Sequence, residues 1–209
     1  MKALLKTKRD IQRQKLNLIA CVNEKNALGK NGELLYRFSQ DFEWFKIVTT
    51  SGVVVMGVKT YLEIGKPLPG RINIVIADQH RPKPIVSEGI ILVHSLEEAL
   101  LVAGFNPEKE IFVIGGASLY QEAFKLGVDY IYRTKVQDES DGDVFFIEEE
   151  LIEKSFCLLT GHVEPFANVN QITGEMLNYR FEIWKHLNTS QQAEQALDWL
   201  NTAEGRGTT

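Results

Sequence analysis

The chain is poor in the features that mark several large classes of protein. Its 209 residues include two cysteines, Cys21 and Cys157, which make neither a disulfide framework nor zinc-ligand spacing, so a reducing cytosol is the expected setting. No run of 18 apolar residues occurs, and no membrane-spanning helix is expected. The basic start (Lys2, Lys6, Lys8, Arg9, Arg13, Lys15) lacks the apolar stretch and small-residue cleavage site of a secretory signal. Positive charge is scarce: 23 Lys and Arg against 28 Asp and Glu give a net charge of −5, which argues against general nucleic-acid binding. Any anionic ligand must be held by a few local cations. There is no Gly-x-x-x-x-Gly-Lys-Ser/Thr, so the loop Gly29-Lys30-Asn31-Gly32 is not a nucleoside-triphosphate cradle. The four histidines (His80, His94, His162, His186) stand apart, and neither a His-Glu-x-x-His helix nor a Gly-x-Ser-x-Gly elbow is present. A hydrolase built on a serine or a metal has little support, and no metal site is expected.

What is present is an ordinary globular composition, 44% apolar and 24% charged, long enough for one domain with a sizeable core. Charge divides it. Residues 1–15 carry a net +5 and residues 188–209 a net −2, leaving −8 on residues 16–187. The first segment has few large apolar residues and the last ends in Gly-Arg-Gly-Thr-Thr, so both read as extensions of a domain spanning 16–187. In the tail, Ala193, Ala196, Leu197 and Leu200 share one face of a short helix after Ser190, a face for docking on the domain or on a partner. No repeat with a 20–50-residue period points to a solenoid or propeller.

Between the extensions, strand and helix patterns alternate. Residues 16–22 read as a buried strand, and Val53–Met56 is a β-branched run of the kind covered on both faces. Further strands are expected at 72–77, 90–93, 111–114 and 130–136, with a long pair at 156–163 and 178–186. Ser39 is the expected N-cap of a helix that puts Phe42 and Phe45 on one face. Other helices are expected at 58–64, at 95–103 with Ser95 as cap and Glu98 in the capping-box position, and at 117–126. This order predicts an α/β domain with a mostly parallel central sheet and an antiparallel edge, its ligand crevice at the carboxyl ends of the strands.

Four local patterns carry chemistry. Ile111 to Tyr120 runs from a buried strand through Gly115 and Gly116 into a helix, so a ligand can reach the backbone and a phosphate can meet unpaired N–H groups; a plain tight turn explains it equally well. The Gly-x-Gly-x-x-Gly fingerprint is absent. Asp41 lies in a helical first turn among Phe42, Trp44 and Phe45, where apolar surroundings raise proton affinity and suit a general acid. Taken alone, its simpler reading is as a complement to the helix dipole. Ile64-Gly65-Lys66-Pro67-Leu68-Pro69-Gly70-Arg71 is a rigid turn ending in a cation, either preorganised for a carboxylate or simply solvated. Met56-Gly57-Val58-Lys59-Thr60 ends a strand with a glycine, a cation and a hydroxyl, an arrangement suited to phosphate and also found in ordinary strand-to-helix turns.

Order and spacing bind these patterns together. Ile19-Ala20, Gly29, Asp41-Phe42-x-Trp44-Phe45-Lys46, Met56-Gly57-x-Lys59-Thr60, the turn to Arg71, Ile114-Gly115-Gly116 and Thr134 together resemble the dihydrofolate reductase family from about residue 16 to 187. The resemblance implies a twisted, mostly parallel sheet of about eight strands with an antiparallel C-terminal edge and helices on both faces. It also implies a cytoplasmic monomeric enzyme of one-carbon metabolism that passes hydride from NADPH to dihydrofolate, giving tetrahydrofolate. By the same likeness, Asp41 binds the pterin and promotes protonation of its imine nitrogen, with Thr134 hydrogen-bonded to the Asp41 carboxylate. Ile19, Ala20, Phe42, Phe45, Ile64 and Leu68 wall the substrate, Arg71 pairs with its glutamate carboxylate and Lys66 lies at the rim. Cys21, Leu28, Gly29, Gly57, Lys59, Thr60, Ile114 and the turn Gly115, Gly116, Ala117, Ser118, Leu119 and Tyr120 line the cofactor. The Gly115–Gly116 peptide is expected to be cis, and loop 29–36 to be a flap over the nicotinamide.

Several positions depart from the family pattern. Leu35-Tyr36 replaces the usual Pro-Trp pair, with Tyr36 offering a hydroxyl toward the pterin in a catalytic role. Val58 and Ala77-Asp78 stand where a basic residue and a serine-rich strand end commonly hold the 2′-phosphate of NADPH. Lys59, Arg81 and His94 are the cations left to compensate. Two other readings stand beside the first: a riboflavin-pathway pyrimidine reductase, and a non-catalytic folate-binding protein on the same fold.

Overall fold

The computed structural model describes residues 14–78, 86–160 and 165–187. The expected tail helix, most of the basic N-terminal stretch, and His80 and Arg81 lie outside the described residues. Apolar side chains on both faces of the central strands bury the sheet between two layers of helices. In β1 (Leu16–Asn23), Leu18, Ala20 and Val22 enter one core while Ile19 enters the other; in β4 (Val53–Gly57), Val53 and Val55 oppose Val54 and Met56 in the same way. The remaining strands are β2 (Ala27–Lys30), β3 (Glu33–Leu34), β5 (Ile72–Ile76), β6 (Ile90–Val93), β7 (Ile111–Val113), β8 (Tyr130–Val136), β9 (Val144–Phe145), β10 (Phe156–Thr160), β11 (Phe166–Val169) and β12 (Met176–His186). The helices are α1 (Ser39–Thr49), α2 (Val58–Ile64), α3 (Leu96–Ala103), α4 (Ala117–Leu126) and α5 (Glu149–Ser155).

The main sheet has the order β10-β12-β8-β1-β7-β4-β5-β6, with β11 added along β12. Strands β8, β1, β7, β4, β5 and β6 are mutually parallel, while β12 runs antiparallel to β8, β10 and β11. The expected parallel centre with an antiparallel edge is therefore present. Helices α3, α4 and α5 cover one face, and α1 and α2 the other. Short strands β3, β2 and β9 form a separate small sheet, which the sequence reading leaves as loop because two- to four-residue strands carry almost no periodicity.

Local signals hold with two adjustments. The Ser95 hydroxyl accepts from the Glu98 N–H, capping α3 as expected, although the Glu98 carboxylate returns to the N–H of His94 rather than of Ser95. Ser39 does not cap α1. It is the first helical residue, Phe38 occupies the cap position without a side-chain bond, and the Ser39 hydroxyl instead accepts from Gln171 Nε2. At the other end of the domain, Gln14 is buried and its amide donates to the carbonyls of Ala103, Asn106 and Lys109, so packing against the core begins before Leu16.

Candidate active site

Strands β1, β7, β4 and β5 are parallel, so their carboxyl ends lie on the same edge of the sheet. Helix α1 carries Asp41 in its first turn over the sheet at β1 and β8, where Cys21 and Thr134 are register partners. Thr134 Oγ1 donates to Asp41 Oδ1 at 2.5 Å. Burial pushes the Asp41 carboxyl above its ordinary range, outweighing the opposite pull of the Thr134 bond. Asp41 acts in turn on its neighbours. The Cys21 thiol and the Tyr120 hydroxyl are pushed up, first by burial and then by the charge of Asp41. A carboxyl with raised proton affinity beside a hydroxyl donor is the arrangement a general acid needs.

Apolar walls flank this carboxyl. Ile19 and Ile114 are buried in the α1-side core, against which Phe45, Ile64 and Leu68 pack, while Phe42 is half exposed. Trp44 stacks on Phe181 with ring centroids 4.9 Å apart, and its buried indole N–H has no acceptor among the described residues. Ala20, Leu28 and Leu119, which the resemblance assigns to ligands, direct their side chains into the opposite core and leave only backbone on the crevice side.

The turn after α2 builds a fixed cation. Asn73 accepts from the Leu68 N–H and donates to the carbonyls of Leu68 and Arg71, locking the Pro-Leu-Pro-Gly segment. Gly70 closes it at φ +71°, a conformation that favours glycine. Arg71 Nε then donates to the Pro69 carbonyl and Nη1 to Thr49 Oγ1, and its guanidinium lies 5.7 Å over the Phe45 ring. Among the described residues, the remaining Nη hydrogens of this half-buried guanidinium have no acceptor. Lys66 is exposed at the outer side of the same turn.

A second group of residues lies at the ends of β4 and β7. The Gly115–Gly116 peptide is cis, and the Gly57 N–H donates to the Gly115 carbonyl at 2.8 Å. Gly115 is buried at φ +124°, and a Cβ there would meet Thr60 Oγ1 at 3.2 Å and the Tyr120 hydroxyl at 3.5 Å, so the turn favours glycine. The Tyr120 hydroxyl itself donates to the Ile19 carbonyl. Helix α4 starts at Gly116 without a side-chain cap and without an acid in its first turn, where Ala117 and the exposed Ser118 lie, leaving its N–H groups to a phosphate. Lys59, in the first turn of α2, places its ammonium beside Gly32 of the β2–β3 turn. Farther along the strand ends, His94 Nδ1 lies 3.1 Å from the Ala77 carbonyl, and Asp78 is exposed next to Ala77.

Tyr36 departs from its expected place. It is buried at 6% exposure, stacks on Phe38 and packs with Val136, Tyr179 and Cys21, but its hydroxyl donates to Asp138 Oδ2 at 2.5 Å. Burial and Asp138 push that hydroxyl up, so it is a donor rather than a proton source. No hydrogen bond joins Tyr36 to Asp41 among the described residues.

A second group escapes sequence reasoning entirely. On the other face of β8, Arg133 is 1% exposed and bonded to both Glu182 and Glu149, with its guanidinium 5.2 Å over the Trp184 ring. Lys135 donates to Asn26 Oδ1 and Glu149. An open cleft of about 600 Å3 beside this network, lined by residues including Glu24, Asn26, Gln121 and Glu149, contains none of the crevice residues above.

Known proteins share this arrangement. The family model described as dihydrofolate reductase matches residues 15–180. A dihydrofolate reductase of Bacillus subtilis is 35% identical over 164 residues, covering 78% of this chain and 93% of its own. One from Haemophilus influenzae is 37% identical over 131 residues, covering 62% of this chain and 77% of its own. A solved dihydrofolate reductase from Enterococcus faecalis, complexed with NADP(H) and RAB-propyl, aligns at a TM-score of 0.64 and 26% identity, covering 83% of this chain and 97% of that one.

Proposed function

The chain belongs to the dihydrofolate reductase family, and from that membership we infer that it reduces 7,8-dihydrofolate to 5,6,7,8-tetrahydrofolate with NADPH, supplying one-carbon metabolism. The observation that carries the reading to this chain is the bond from the buried Thr134 hydroxyl to the half-buried Asp41 carboxylate, with the cis Gly115–Gly116 peptide in the turn after β7. NADPH supplies the hydride. Asp41 binds the pterin ring edge and promotes proton uptake at the neighbouring imine nitrogen, which completes the two-electron reduction. Thr134 orients the Asp41 carboxylate, while Ile19, Phe45 and Ile64 exclude water from it. Arg71 pairs with the glutamate carboxylate of the substrate. Gly115, Gly116, Thr60 and the start of α4 hold the cofactor phosphates, and Lys59, next to Thr60 in the first turn of α2, supplies a cation. The intact Asp41–Thr134–Arg71 set counts against a non-catalytic folate-binding protein, and the glutamate-directed Arg71 counts against a pyrimidine reductase.

We place the enzyme in the cytoplasm as a monomer. Cys21 and Cys157 form no disulfide, and no helix among the described residues is long and apolar enough to cross a membrane. Nicotinamide oxidation by the purified protein with dihydrofolate, run in parallel with NADPH and NADH, tests the reading. Turnover with a clear NADPH preference is the expected result. Folate binding without oxidation of either nicotinamide would overturn it.

A further inference from the structure

On the helical layer opposite α1, an exposed apolar patch lies beside the point where both ends of the chain leave the domain. Helix α3 joins β6 to β7 and α4 joins β7 to β8, so both return against the same parallel strands and run in one direction, in contact with each other. Glu97 of α3 and Glu122 of α4 are close enough that the Glu97 charge, after burial, pushes the Glu122 carboxyl up. One turn farther along the same faces stand Leu101 and Leu126. Phe105 follows in the turn after α3, its N–H donating to the Val102 carbonyl. Leu101, Leu126 and Phe105 are 53%, 52% and 78% exposed. Three large apolar side chains grouped in this way on a polar surface mark a contact site.

Strand β12 runs antiparallel to β8 and therefore ends where β8 begins. Lys185 pairs with Tyr130, the His186 N–H donates to the Asp129 carbonyl, and the Leu187 N–H donates to the Ser155 carbonyl. From there the chain continues as residues 188–209. Asp129 follows Leu126 by three residues, about 11 Å of chain at most, while the six residues from Leu187 to Ala193 span up to about 20 Å. The patch is within reach. We propose that the tail docks on its own domain, with Ala193, Ala196, Leu197 and Leu200 covering Leu101, Phe105 and Leu126. These four residues recur at helical spacing. A lone helix of about a dozen residues is marginal in water, so that spacing calls for a surface on which to bury its apolar face. Charge favours the same place. The tail carries a net −2 and residues 1–15 a net +5, and the Leu16 N–H on Asp129 Oδ2 brings the basic extension out at the same edge. Glu194 and Asp198, a turn apart and away from the apolar face, are the acids available to it.

The docking is independent of the reductase reading, and its test reads no activity. The full chain is compared with a patch variant, Phe105→Ser/Leu126→Ser, a tail variant, Leu197→Ser/Leu200→Ser, and a control, Leu62→Ser, on the exposed side of α2. Phe105, Leu126 and Leu62 are all exposed, so these substitutions leave the fold in place, which the protection of the β1 amides verifies. Hydrogen exchange of residues 190–200 is measured at a low and a high protein concentration, with sedimentation in parallel. A synthetic peptide of residues 188–209 serves as the unprotected standard. In the wild type the segment is expected to exchange about tenfold more slowly than in the peptide, equally at both concentrations, from a monomer. The patch and tail variants lose that protection and Leu62→Ser keeps it. Exchange as fast as in the peptide, protection that survives the patch variant, or equal loss in Leu62→Ser would each overturn the proposal. Protection that grows with concentration alongside a dimer would overturn it too, because the occupant would then be the tail of a second copy.

Discussion

Replacing Arg71 by leucine should separate the recognition of substrate from that of cofactor. The magnitude follows from how the guanidinium is held. An ion pair between freely exposed partners is worth about 0–1 kcal/mol, because screening and the entropy of ordering two side chains offset the attraction. Arg71 is half buried, and burial lowers its proton affinity. It is already ordered by the Pro69 carbonyl, Thr49 Oγ1 and the face of Phe45, so little rotamer freedom is left to lose on binding. A carboxylate meeting the remaining Nη hydrogens therefore gains the larger figure for charge-assisted bonds, about 1.5–3 kcal/mol. Arg71→Leu should raise the Kd for dihydrofolate by about 10–150-fold. NADPH binding should stay within about twofold, since the phosphate cradle at Gly115 and Thr60 shares no hydrogen bond with Arg71. Titrations of both ligands, together with a dihydropterin that lacks the glutamate tail, decide the matter. Equal weakening of the tail-less pterin would refute the reasoning, because it would mean that the leucine variant collapses the turn instead of removing a carboxylate contact.

Asp41→Asn should retain folate binding and lose about 10²–10⁴-fold in turnover at neutral pH, read by single-turnover hydride transfer. The same variant should melt higher than wild type at pH 7. Burial lifts the Asp41 carboxyl above its ordinary 3.8, so the ionised form costs the fold stability at neutral pH, and the gap between the two proteins should close as pH falls toward 3.8. Thr134→Val removes the one bond that pulls this carboxyl down, so the alkaline limb of the kcat/KM profile should move to higher pH, whereas Thr134→Ser should leave it in place. For Glu149, burial alone would raise the carboxyl from its usual 4.5, but the hydrogen bond and charge of Arg133, helped by Asn26 and Lys135, hold it down to about 2. At about 1.4 kcal/mol per pH unit, and discounted by half because a third of the side chain meets solvent, this contributes about 1–2 kcal/mol of stability. That contribution is present above pH 4.5 and lost as pH falls toward 2. Urea unfolding of Glu149→Gln should accordingly show its deficit at pH 7 and little of it near pH 2.5.

The parallel centre of the fold was legible because its strands are buried on both faces and flanked by glycine and capping signals. Val53–Met56 and Ser95–Glu98 behave as their side chains require. Asp41, Thr134, Arg71 and the two glycines stand out as a set in the sequence because their spacing matches one family, although each alone supports a plainer reading; the Thr134–Asp41 bond and the cis Gly115–Gly116 peptide are present as expected. Ser39 was misread because a cap preference is a local tendency of about 1 kcal/mol, and Gln171, 132 residues away, offers its hydroxyl a better-placed partner. Tyr36 was misread for a related reason. Standing where the family commonly has tryptophan, Tyr36 suggests a hydroxyl turned toward the pterin, but its ring stacks on Phe38 and its hydroxyl goes to Asp138.

The charged network on the far side of β8 shows where alternation stops being a guide. Tyr130 to Val136 alternates so that Thr134 faces α1 while Arg133 and Lys135 face away, which ordinarily marks a strand with one wet face. Here that face is covered: Glu182 of β12 and Glu149 of α5 neutralise Arg133, and Trp184 lies against its guanidinium. Strand β8 therefore carries a buried cation on one side and, on the next residue, the hydroxyl that lowers the proton affinity of Asp41 on the other. No sequence period distinguishes a charge turned to water from one turned to a counter-charge 49 residues away, since both obey the same alternation of two. The distinction comes from the covering elements, β12 and α5. Their acids look like ordinary surface residues until the sheet order places them opposite Arg133.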